Sequence, residues 1–357
     1  MRIVFDAYEL VPGQGKSIGI YNYAKNLLKA LVQVIDDKTE IFVICNPANI
    51  ADFTYEHDSV TSVVLGDTPG KFLRLIWIYG RAAWILKSLK AEVYFSPKGF
   101  MPKHLKLLSA NVKTVVVIHD LIPLWYAEHY PGYFGHLEEF IVNSLMKSSV
   151  EHADSIVAIS QATANDIKHR LGRTENIHVV HNGIPITVPA PRPFDKPYIF
   201  AMASQLPHKN IEGILVAYAA YRKLESKPLP LVICGVSNSN QLGVISVKGL
   251  DDATLHAYYA YADLFVFLSL IEGFGFPPVE ALAHGTAVIC SDIPVLREVT
   301  KGYASYVPPT QAKVVGEKMV ELLAQTPSDE VKRERMAVAD SFTWLACATG
   351  VLKAINS

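Results

Sequence analysis

The sequence predicts an α/β protein of two Rossmann-like domains, each built on a parallel sheet. Short apolar runs typical of buried strands alternate with helical periods along the chain, as in parallel sheets that are covered on both faces. A proline-rich stretch, 184–197, interrupts this alternation and is typical of a semi-rigid linker. A chain of 357 residues also suits two hydrophobic cores. We therefore expect an N-terminal domain over residues 1–188 and a C-terminal domain over residues 196–340.

The predicted elements follow the hydrophobic pattern on either side of the linker. Strands before it are Ile3–Ala7, Ile41–Cys45, Val93–Ser96, Thr114–His119, Ser155–Ile159 and Ile177–Val180. Strands after it are Tyr198–Met202, Leu231–Gly235, Ile245–Val247, Leu264–Leu268, Ala287–Cys290 and Ala304–Val307. Helices between them include Ile18–Ile35, Phe134–Ala153, Ile211–Leu224, Asp252–Ala262 and Gln311–Ala324, and Phe342–Asn356 ends the chain. In such folds a ligand binds at the carboxyl ends of the strands, which we expect between the two domains.

Composition excludes several classes of function. Half of the residues are hydrophobic, 19% are charged and the net charge is −1, so the chain is globular and lacks the charge of a nucleic-acid-binding protein. Cys45, Cys234, Cys290 and Cys347 are widely separated and form no CxxC motif, which argues against zinc and redox roles. The N-terminus resembles a strand and not a signal peptide, and no apolar run is long enough to span a membrane. We expect a cytoplasmic protein.

The clearest functional pattern lies in the segment Ser269–His284. Two glutamates, Glu272 and Glu280, bracket seven residues that hold two glycines and a Pro-Pro pair. The glycines permit close backbone approach, and the prolines favour the first turn of a helix from about Pro277 to Ala283. The N-terminus of this helix is an anion site. Because carboxylates repel phosphate, the flanking glutamates suit hydroxyl groups, so the segment predicts a cradle for a sugar joined to a nucleoside through phosphates.

The glutamate pair with its Gly-Phe-Gly-Phe-Pro core resembles the signature of the retaining GT-B glycosyltransferases of family 4. The resemblance implies the GT-B fold, in which two Rossmann-like domains face each other across a cleft and the C-terminal helix, here 341–357, packs back on the first domain. It implies that Glu280 holds the ribose of the donor and that Glu272, with the backbone amides beside it, holds the donor sugar.

A second predicted contact follows the first strand of the C-terminal domain. Lys209, at a strand-to-helix turn, can reach phosphate oxygens as a point charge. Family members carry an arginine a few residues earlier, where Ser204 and Gln205 stand in this chain. His208, or Lys16 from the other domain, could supply the missing second cation.

Two further loops complete the predicted donor site. The segment Lys248–Asp252 occupies the place where the family reads the base, and Asp251 or Asp252 is expected to cap the following helix. In the N-terminal domain, the glycine-rich loop with Gly15 and Lys16 is interpreted as a cover over the donor phosphates. It is not a P-loop, because Leu10 replaces the first glycine, and it lacks the acidic residue of a dinucleotide fingerprint.

The segment Ile118–Pro123 places His119 and Asp120 at the carboxyl end of a strand. It resembles the family's His-Asp-Leu segment, whose histidine faces the donor sugar. Asp120 could orient His119 or approach the acceptor, and the sequence leaves both roles open. The predicted catalytic residues are His119, Lys209 and Glu272. The predicted donor-binding residues are Gly15, Lys16, Ser204, Gln205, Lys209, Leu250, Glu272, Gly273, Phe274, Gly275, Phe276, Val279 and Glu280.

No cofactor is expected. The chain contains no Asp-x-Asp motif, so a metal-bound diphosphate has no obvious ligands, and Lys209 with the helix N-terminus would stabilise the leaving group. The segment Lys71–Lys113 holds nine Lys or Arg residues and one acidic residue, with interspersed aromatic residues. Such a surface could contact anionic lipid at the inner face of a membrane.

The predicted activity is transfer of a hexose from a nucleotide-diphosphate sugar to a hydroxyl of a glycan or lipid-linked glycan, in exopolysaccharide or lipopolysaccharide synthesis. UDP-sugars such as UDP-glucose are preferred because they are common in the family, and GDP-mannose stays open. A GT-B epimerase or hydrolase, and a non-catalytic nucleotide-sugar binder, are the alternatives; the replaced arginine at Gln205 supports the latter.

Overall fold

The computed structural model describes residues 1–13, 18–66, 68–236 and 240–357. The chain divides into two compact units, the first formed by Met1–Gly183 with Trp344–Ser357 and the second by Ile184–Thr343. The proline-rich stretch therefore belongs to the second unit. The predicted loop residues Gly15 and Lys16 lie outside the described residues.

Within the described residues, the first unit holds a seven-stranded parallel sheet in the order β3-β2-β1-β4-β5-β6-β7. Its strands are β1 (Arg2–Asp6), β2 (Glu40–Cys45), β3 (Val60–Val64), β4 (Val93–Ser96), β5 (Lys113–Ile118), β6 (Ser155–Ala158) and β7 (Ile177–Val179). Strand β3 was missed in the sequence because it is an edge strand, only partly buried, whose polar Thr61 and Ser62 break the apolar run.

Helices cover this first sheet. They are α1 (Ile18–Leu31), α2 (Lys71–Ile76), α3 (Ala82–Ser88), α4 (Leu105–Leu108), α5 (Ile122–His129), α6 (His136–His152) and α7 (Gln161–Leu171). One π-helical turn, Trp77–Arg81, joins α2 to α3. Local sequence sets the ends of α7, because the Ser160 hydroxyl accepts a hydrogen bond from the amide of Thr163 and Gly172 ends the helix in the left-handed conformation.

In the second unit the described strands form a six-stranded parallel sheet in the order β10-β9-β8-β11-β12-β13. They are β8 (Ile199–Met202), β9 (Leu231–Cys234), β10 (Val244–Val247), β11 (Leu264–Phe267), β12 (Val288–Ser291) and β13 (Ser305–Val307). The helices are α8 (Ile211–Leu224), α9 (Asp252–Ala260), α10 (Phe276–Ala283), α11 (Pro294–Thr300), α12 (Ala312–Leu323) and α13 (Asp329–Asp340). The strand order reverses between β8 and β11, as it does between β1 and β4 in the first sheet, and such reversals are where doubly wound sheets bind ligands.

The end of the chain returns to the first unit as α14 (Trp344–Asn356), which packs against α1. Residues Asp329–Asn356 are long enough to span a membrane, and an 18-residue stretch within them has a mean hydropathy of 1.2, which such a span requires. They form two helices, however, of which α13 is rich in charged residues and α14 buries Cys347, Val351 and Ile355. Helix α14 therefore has the features of core packing. The four cysteines are buried and form no disulfide.

Candidate active site

The reversal of strand order in the second sheet brings Lys209 and Glu272 together. Lys209 follows β8 and Glu272 follows β11, and these strands are neighbours. Their side chains form an ion pair, with 2.6 Å between Lys209 Nζ and Glu272 Oε1. The lysine is 26% exposed and the glutamate 9%, so the pair lies at the rim of the sheet where a ligand can reach the ammonium group. The sequence predicted both residues in the site, and the structure shows that they neutralise each other.

Asn210 fixes the loop that carries Lys209. It adopts the left-handed conformation with φ of 51°, and its side chain accepts a hydrogen bond from the amide of Gly213 at the start of α8. The same side chain donates to the carbonyl of Leu268 at 2.9 Å, and the amide of Leu270 donates to the carbonyl of His208 at 2.7 Å. The loops after β8 and β11 are thus joined on both sides of the ion pair.

His208 does not supply the second cation that the sequence analysis sought. Burial lowers the pKa of His208 to about 4, with the neighbouring positive charge of Lys209 acting in the same direction. The imidazole is therefore neutral near pH 7. Gln205, in the position of the family's arginine, is exposed, and Ser204 lies half-buried beside it. Within residues 204–210, Lys209 is therefore the side chain that carries a charge at neutral pH.

Helix α10 begins at the predicted glycine-rich turn. Gly275 precedes it with φ of 92°, and a Cβ there would lie 2.4 Å from Cδ2 of Leu296, so only glycine fits. Phe274 is 2% exposed and Val279 is fully buried. These two side chains therefore shape the turn from beneath, and only their backbone could meet a donor. Gly273 is buried and Phe276 is half-buried in the same turn.

Glu280 lies one turn inside α10 and has an altered pKa. Burial raises the pKa of Glu280 to about 7, a hydrogen bond with the Tyr259 hydroxyl opposes the change, and the charge of Asp252 adds to it. The free protein therefore holds this carboxyl partly protonated at neutral pH. A ligand hydroxyl that donates to the carboxylate would favour its ionised form.

The predicted base-reading loop follows β10. Leu250 is half-buried within it, and the structure confirms Asp251 as the cap of α9, since its carboxylate accepts a hydrogen bond from the amide of Thr254 at 2.7 Å. Asp251 is thereby committed to the helix, which leaves Lys248 and Leu250 as the loop's candidates for contact with a base.

His119 and Asp120 follow β5 in the first unit. His119 is 8% exposed, its Nε2 donates to the carbonyl of Pro97 at 2.7 Å, and its ring meets that of Tyr23 edge-on. Burial lowers the pKa of His119 to about 4, so the imidazole is neutral, with the proton on Nε2 and an acceptor lone pair on Nδ1. Asp120 Oδ1 accepts a hydrogen bond from the amide of Ile122, which starts α5.

The sequence analysis missed an ionic cluster at the carboxyl ends of β1 and β4. Lys98 Nζ lies 2.8 Å from Asp6 Oδ2 and also pairs with Glu9, and all three side chains are buried, at 3%, 0% and 7% exposure. Burial alone would lower the pKa of Lys98, but the two carboxylates together raise it, so the ammonium stays charged. A signal was present, because Asp6 ends an apolar strand and Lys98 comes two residues after another.

The described residues contain no group of three or more His, Cys, Asp or Glu side chains that could hold a metal ion. The groups that could meet a substrate are instead Lys209, the carboxylates and the N-terminus of α10.

Comparisons with known proteins identify the family over most of the chain. Residues 19–188 match the family described as Glycosyltransferase Family 4, and residues 188–338 match Glycosyl transferases group 1. An O-antigen chain mannosyltransferase from Salmonella typhimurium is 27% identical over 318 residues, which are 84% of this chain and 86% of that protein. The O-antigen chain mannosyltransferase B of Escherichia coli is 25% identical over 77% of this chain and 76% of its own. Sucrose-phosphate synthase from Thermosynechococcus elongatus has the same fold, with a TM-score of 0.74 at 16% identity over 99% of this chain and 98% of that one.

Proposed function

Because the chain belongs to the family 4, group 1 glycosyltransferases and has the GT-B fold, we propose that it moves mannose from GDP-mannose to a hydroxyl of a glycan or lipid-linked glycan, with retention of the anomeric configuration. The expected setting is O-antigen synthesis at the cytoplasmic face of the membrane. The mannosyltransferase names of the relatives support the sugar and the setting.

The ion pair at the second sheet's reversal point is the observation that carries the proposal. In the proposed complex Lys209 turns from Glu272 toward the diphosphate, whose negative charge grows as the glycosidic bond breaks. The freed Glu272 carboxylate then accepts hydrogen bonds from hydroxyls of the donor sugar. The amides at the start of α10 add positive potential. In many enzymes such preorganised charge is the largest contribution to stabilisation of the transition state.

Glu280 and His119 are assigned to the hydroxyl groups of the donor, since each can accept a hydrogen bond in the protonation state proposed for the complex. Glu280 would hold the ribose hydroxyls. His119, neutral and with Nδ1 as an acceptor, would take a hydrogen bond from a hydroxyl of the donor sugar and would not act as an acid at neutral pH. The departing phosphate would accept the acceptor proton, as the family resemblance implies, and no metal ion is required in this scheme.

The donor base changes from the one that the sequence analysis preferred. UDP-glucose was favoured only because UDP-sugars are common in the family, and the mannosyltransferase relatives give that preference no support. We therefore expect GDP and GDP-mannose to stabilise the protein against thermal unfolding, and UDP, ADP and their sugars to do so much less. At 100 times its dissociation constant the correct ligand adds about 2.7 kcal/mol to the free energy of unfolding.

The thermal panel should be run with EDTA and then with magnesium, and be followed by a transfer assay. An upward shift with UDP-sugars alone would contradict the GDP assignment, and a shift that appears only with magnesium would contradict metal-free binding. Binding without transfer to any glycoside would favour the non-catalytic reading that Gln205 supports.

Proton release provides a test of the role of Glu280. The free carboxyl has a pKa of about 7, and ribose hydroxyls would stabilise its ionised form, so nucleotide binding at pH 6 should release roughly one proton. Affinity should accordingly rise between pH 5 and pH 7. Titration calorimetry in buffers of different ionisation enthalpy measures this release, and Glu280→Gln should abolish it. Equal release by the two proteins would show that another group titrates.

We further propose that the Lys71–Lys113 segment contacts anionic lipid. Trp84 on α3 is 67% exposed, and Leu107 and Leu108 on the short helix α4 of the same segment are 80% and 55% exposed. Not all of its basic residues serve this surface, because Lys98 is buried and Lys106 pairs with Asp154. The exposed apolar residues therefore carry most of the argument.

Vesicle co-sedimentation tests this surface. The protein should bind vesicles that contain phosphatidylglycerol more strongly than those of phosphatidylcholine alone, and Trp84→Ala with Leu107→Ser should weaken binding at least fivefold. Val216→Ser, at a position 57% exposed in the second unit, is the matched control and should bind as the wild type does. An equal loss of vesicle binding in the control and the test variants would contradict the proposal that this segment contacts lipid.

A further inference from the structure

Both sheets carry a lysine–glutamate pair at the point where their strand order reverses. In the second sheet the pair is Lys209 and Glu272, across β8 and β11. In the first sheet Glu9 follows β1 and Lys98 follows β4, and these are the neighbouring strands at the reversal. Doubly wound sheets bind ligands where their strand order reverses. The Glu9–Lys98 pair therefore marks a place in the first unit where a substrate is expected.

The Glu9–Lys98 pair belongs to a buried network of hydrogen bonds and ion pairs. Asp6 Oδ2 accepts hydrogen bonds from Trp77 Nε1, at 3.1 Å, and from the Tyr94 hydroxyl, and it meets the ammonium of Lys98. Apolar residues of the same volume are often neutral or stabilising in place of a buried ion pair, so stability alone does not account for this arrangement. The network holds Lys98, and Lys98 in turn holds one oxygen of Glu9.

The second oxygen of Glu9 is held less tightly than the first. Glu9 Oε2 pairs with Lys98, whereas Oε1 faces Arg74 Nε at 3.9 Å, which is longer than a hydrogen bond. Arg74 is 48% exposed and can move aside. Asp6 and Glu9 face two cations, Lys98 and Arg74, so the cluster as a whole is neutral, and Oε1 is a carboxylate oxygen that suits a hydroxyl donor.

The placement fits an acceptor next to His119. Strands β1, β4 and β5 are adjacent, so the ends of β1 and β5, which Glu9 and His119 follow, lie two strand spacings apart, about 10 Å. The loop after β4 links them, because Pro97 accepts the hydrogen bond from His119 and Lys98 pairs with Glu9. A sugar bound over this loop could reach both side chains.

We propose that Glu9 is an acceptor-binding residue whose Oε1 takes a hydrogen bond from a hydroxyl of the acceptor sugar, and that Lys98 and Asp6 position it. This inference rests on the proposed function only in taking the acceptor to be a glycan. The residues belong entirely to the first unit, so acceptor binding can be measured separately from nucleotide binding.

The test compares Glu9→Gln with wild type in binding octyl glycosides of mannose, glucose, galactose and N-acetylglucosamine, followed by ligand-observed NMR. The amide keeps the shape of the side chain and leaves Lys98 paired with Asp6, so the variant should fold. We expect the best wild-type glycoside to bind at least tenfold more weakly to the variant, with nucleotide affinity within twofold. Asp52→Asn changes another carboxylate of the first unit, one that pairs with Lys25 at 2.5 Å, and should leave glycoside binding unchanged.

Monodeoxy analogues of that glycoside separate direct contact from a structural role. One deoxy analogue should bind wild type about as weakly as the parent glycoside binds Glu9→Gln, and the variant should no longer distinguish the two. Unchanged glycoside binding by Glu9→Gln would overturn the proposal, as would an equal loss of nucleotide binding, or a wild type that binds none of the glycosides. Failure of the nucleotide panel with glycoside binding intact would instead count against the proposed function.

Discussion

Replacing Lys209 by methionine is expected to lower kcat/KM for the nucleotide sugar about 100- to 1000-fold, or about 2.7–4 kcal/mol of transition-state stabilisation, by analogy with the loss of a preorganised donor. In the proposed complex the diphosphate gains charge as it leaves and lies beside Lys209, whose loop is joined to the loop after β11. Initial rates with the donor identified in the thermal panel measure the effect. Lys313→Met is the matched control, since that lysine is 85% exposed on α12, and its rate should stay within twofold.

A loss of activity in Lys209→Met has a second possible explanation, which follows from the ion pair with Glu272. Removing Lys209 also leaves the nearly buried Glu272 without its partner, which could disturb the site by itself. The double variant Lys209→Met, Glu272→Gln removes that uncompensated charge. If Lys209 acts on the diphosphate, the double variant stays at least 100-fold less active than Glu272→Gln alone, which loses the proposed sugar contact but keeps the lysine. Equal activity of the double variant and Glu272→Gln would show that the lysine serves only to neutralise Glu272.

Much of the fold follows from local pattern. The alternation of apolar runs with helical periods predicted two parallel-sheet domains, and the comparisons confirm both the GT-B fold and the family. Boundaries were less accurate, because hydrophobicity does not mark where hydrogen bonding stops. The strand predicted as Thr114–His119 ends at Ile118, so His119 lies just outside it. The edge strand β3 lacks the continuous apolar run that identifies a central strand.

Part of the candidate site was likewise predictable from local sequence, and part required the structure. Glu272, Glu280 and the glycine turn between them lie on one short segment, so their spacing was visible in the sequence. The direct pairing of Lys209 with Glu272 was not, because it joins residues that only the sheet order brings together. The cluster of Asp6, Glu9 and Lys98 joins segments about 90 positions apart for the same reason. The neutral state of His208 also required the structure, because it results from burial.

Replacing Lys98 by methionine is expected to lower the free energy of unfolding of the first unit by about 3–5 kcal/mol, the usual cost of removing one partner from a buried ion pair. Asp6 and Glu9 would then be two buried carboxylates without their shared cation, with the exposed Arg74 still 3.9 Å from Glu9, and their mutual repulsion would add to their desolvation. Lys87→Met, at an exposed position on α3, is the control and should change stability by no more than about 0.5 kcal/mol.

Urea unfolding followed by tryptophan fluorescence isolates this effect, since all four tryptophans, Trp77, Trp84, Trp125 and Trp344, belong to the first unit. Trp77 is also a hydrogen-bond donor to Asp6, so its emission reports on the network directly. Adding Glu9→Gln to Lys98→Met removes one of the two uncompensated charges and should recover part of the lost stability. A wild-type urea midpoint in Lys98→Met would show that the lysine does not hold the carboxylates, and it would remove the positioning role on which acceptor binding by Glu9 depends.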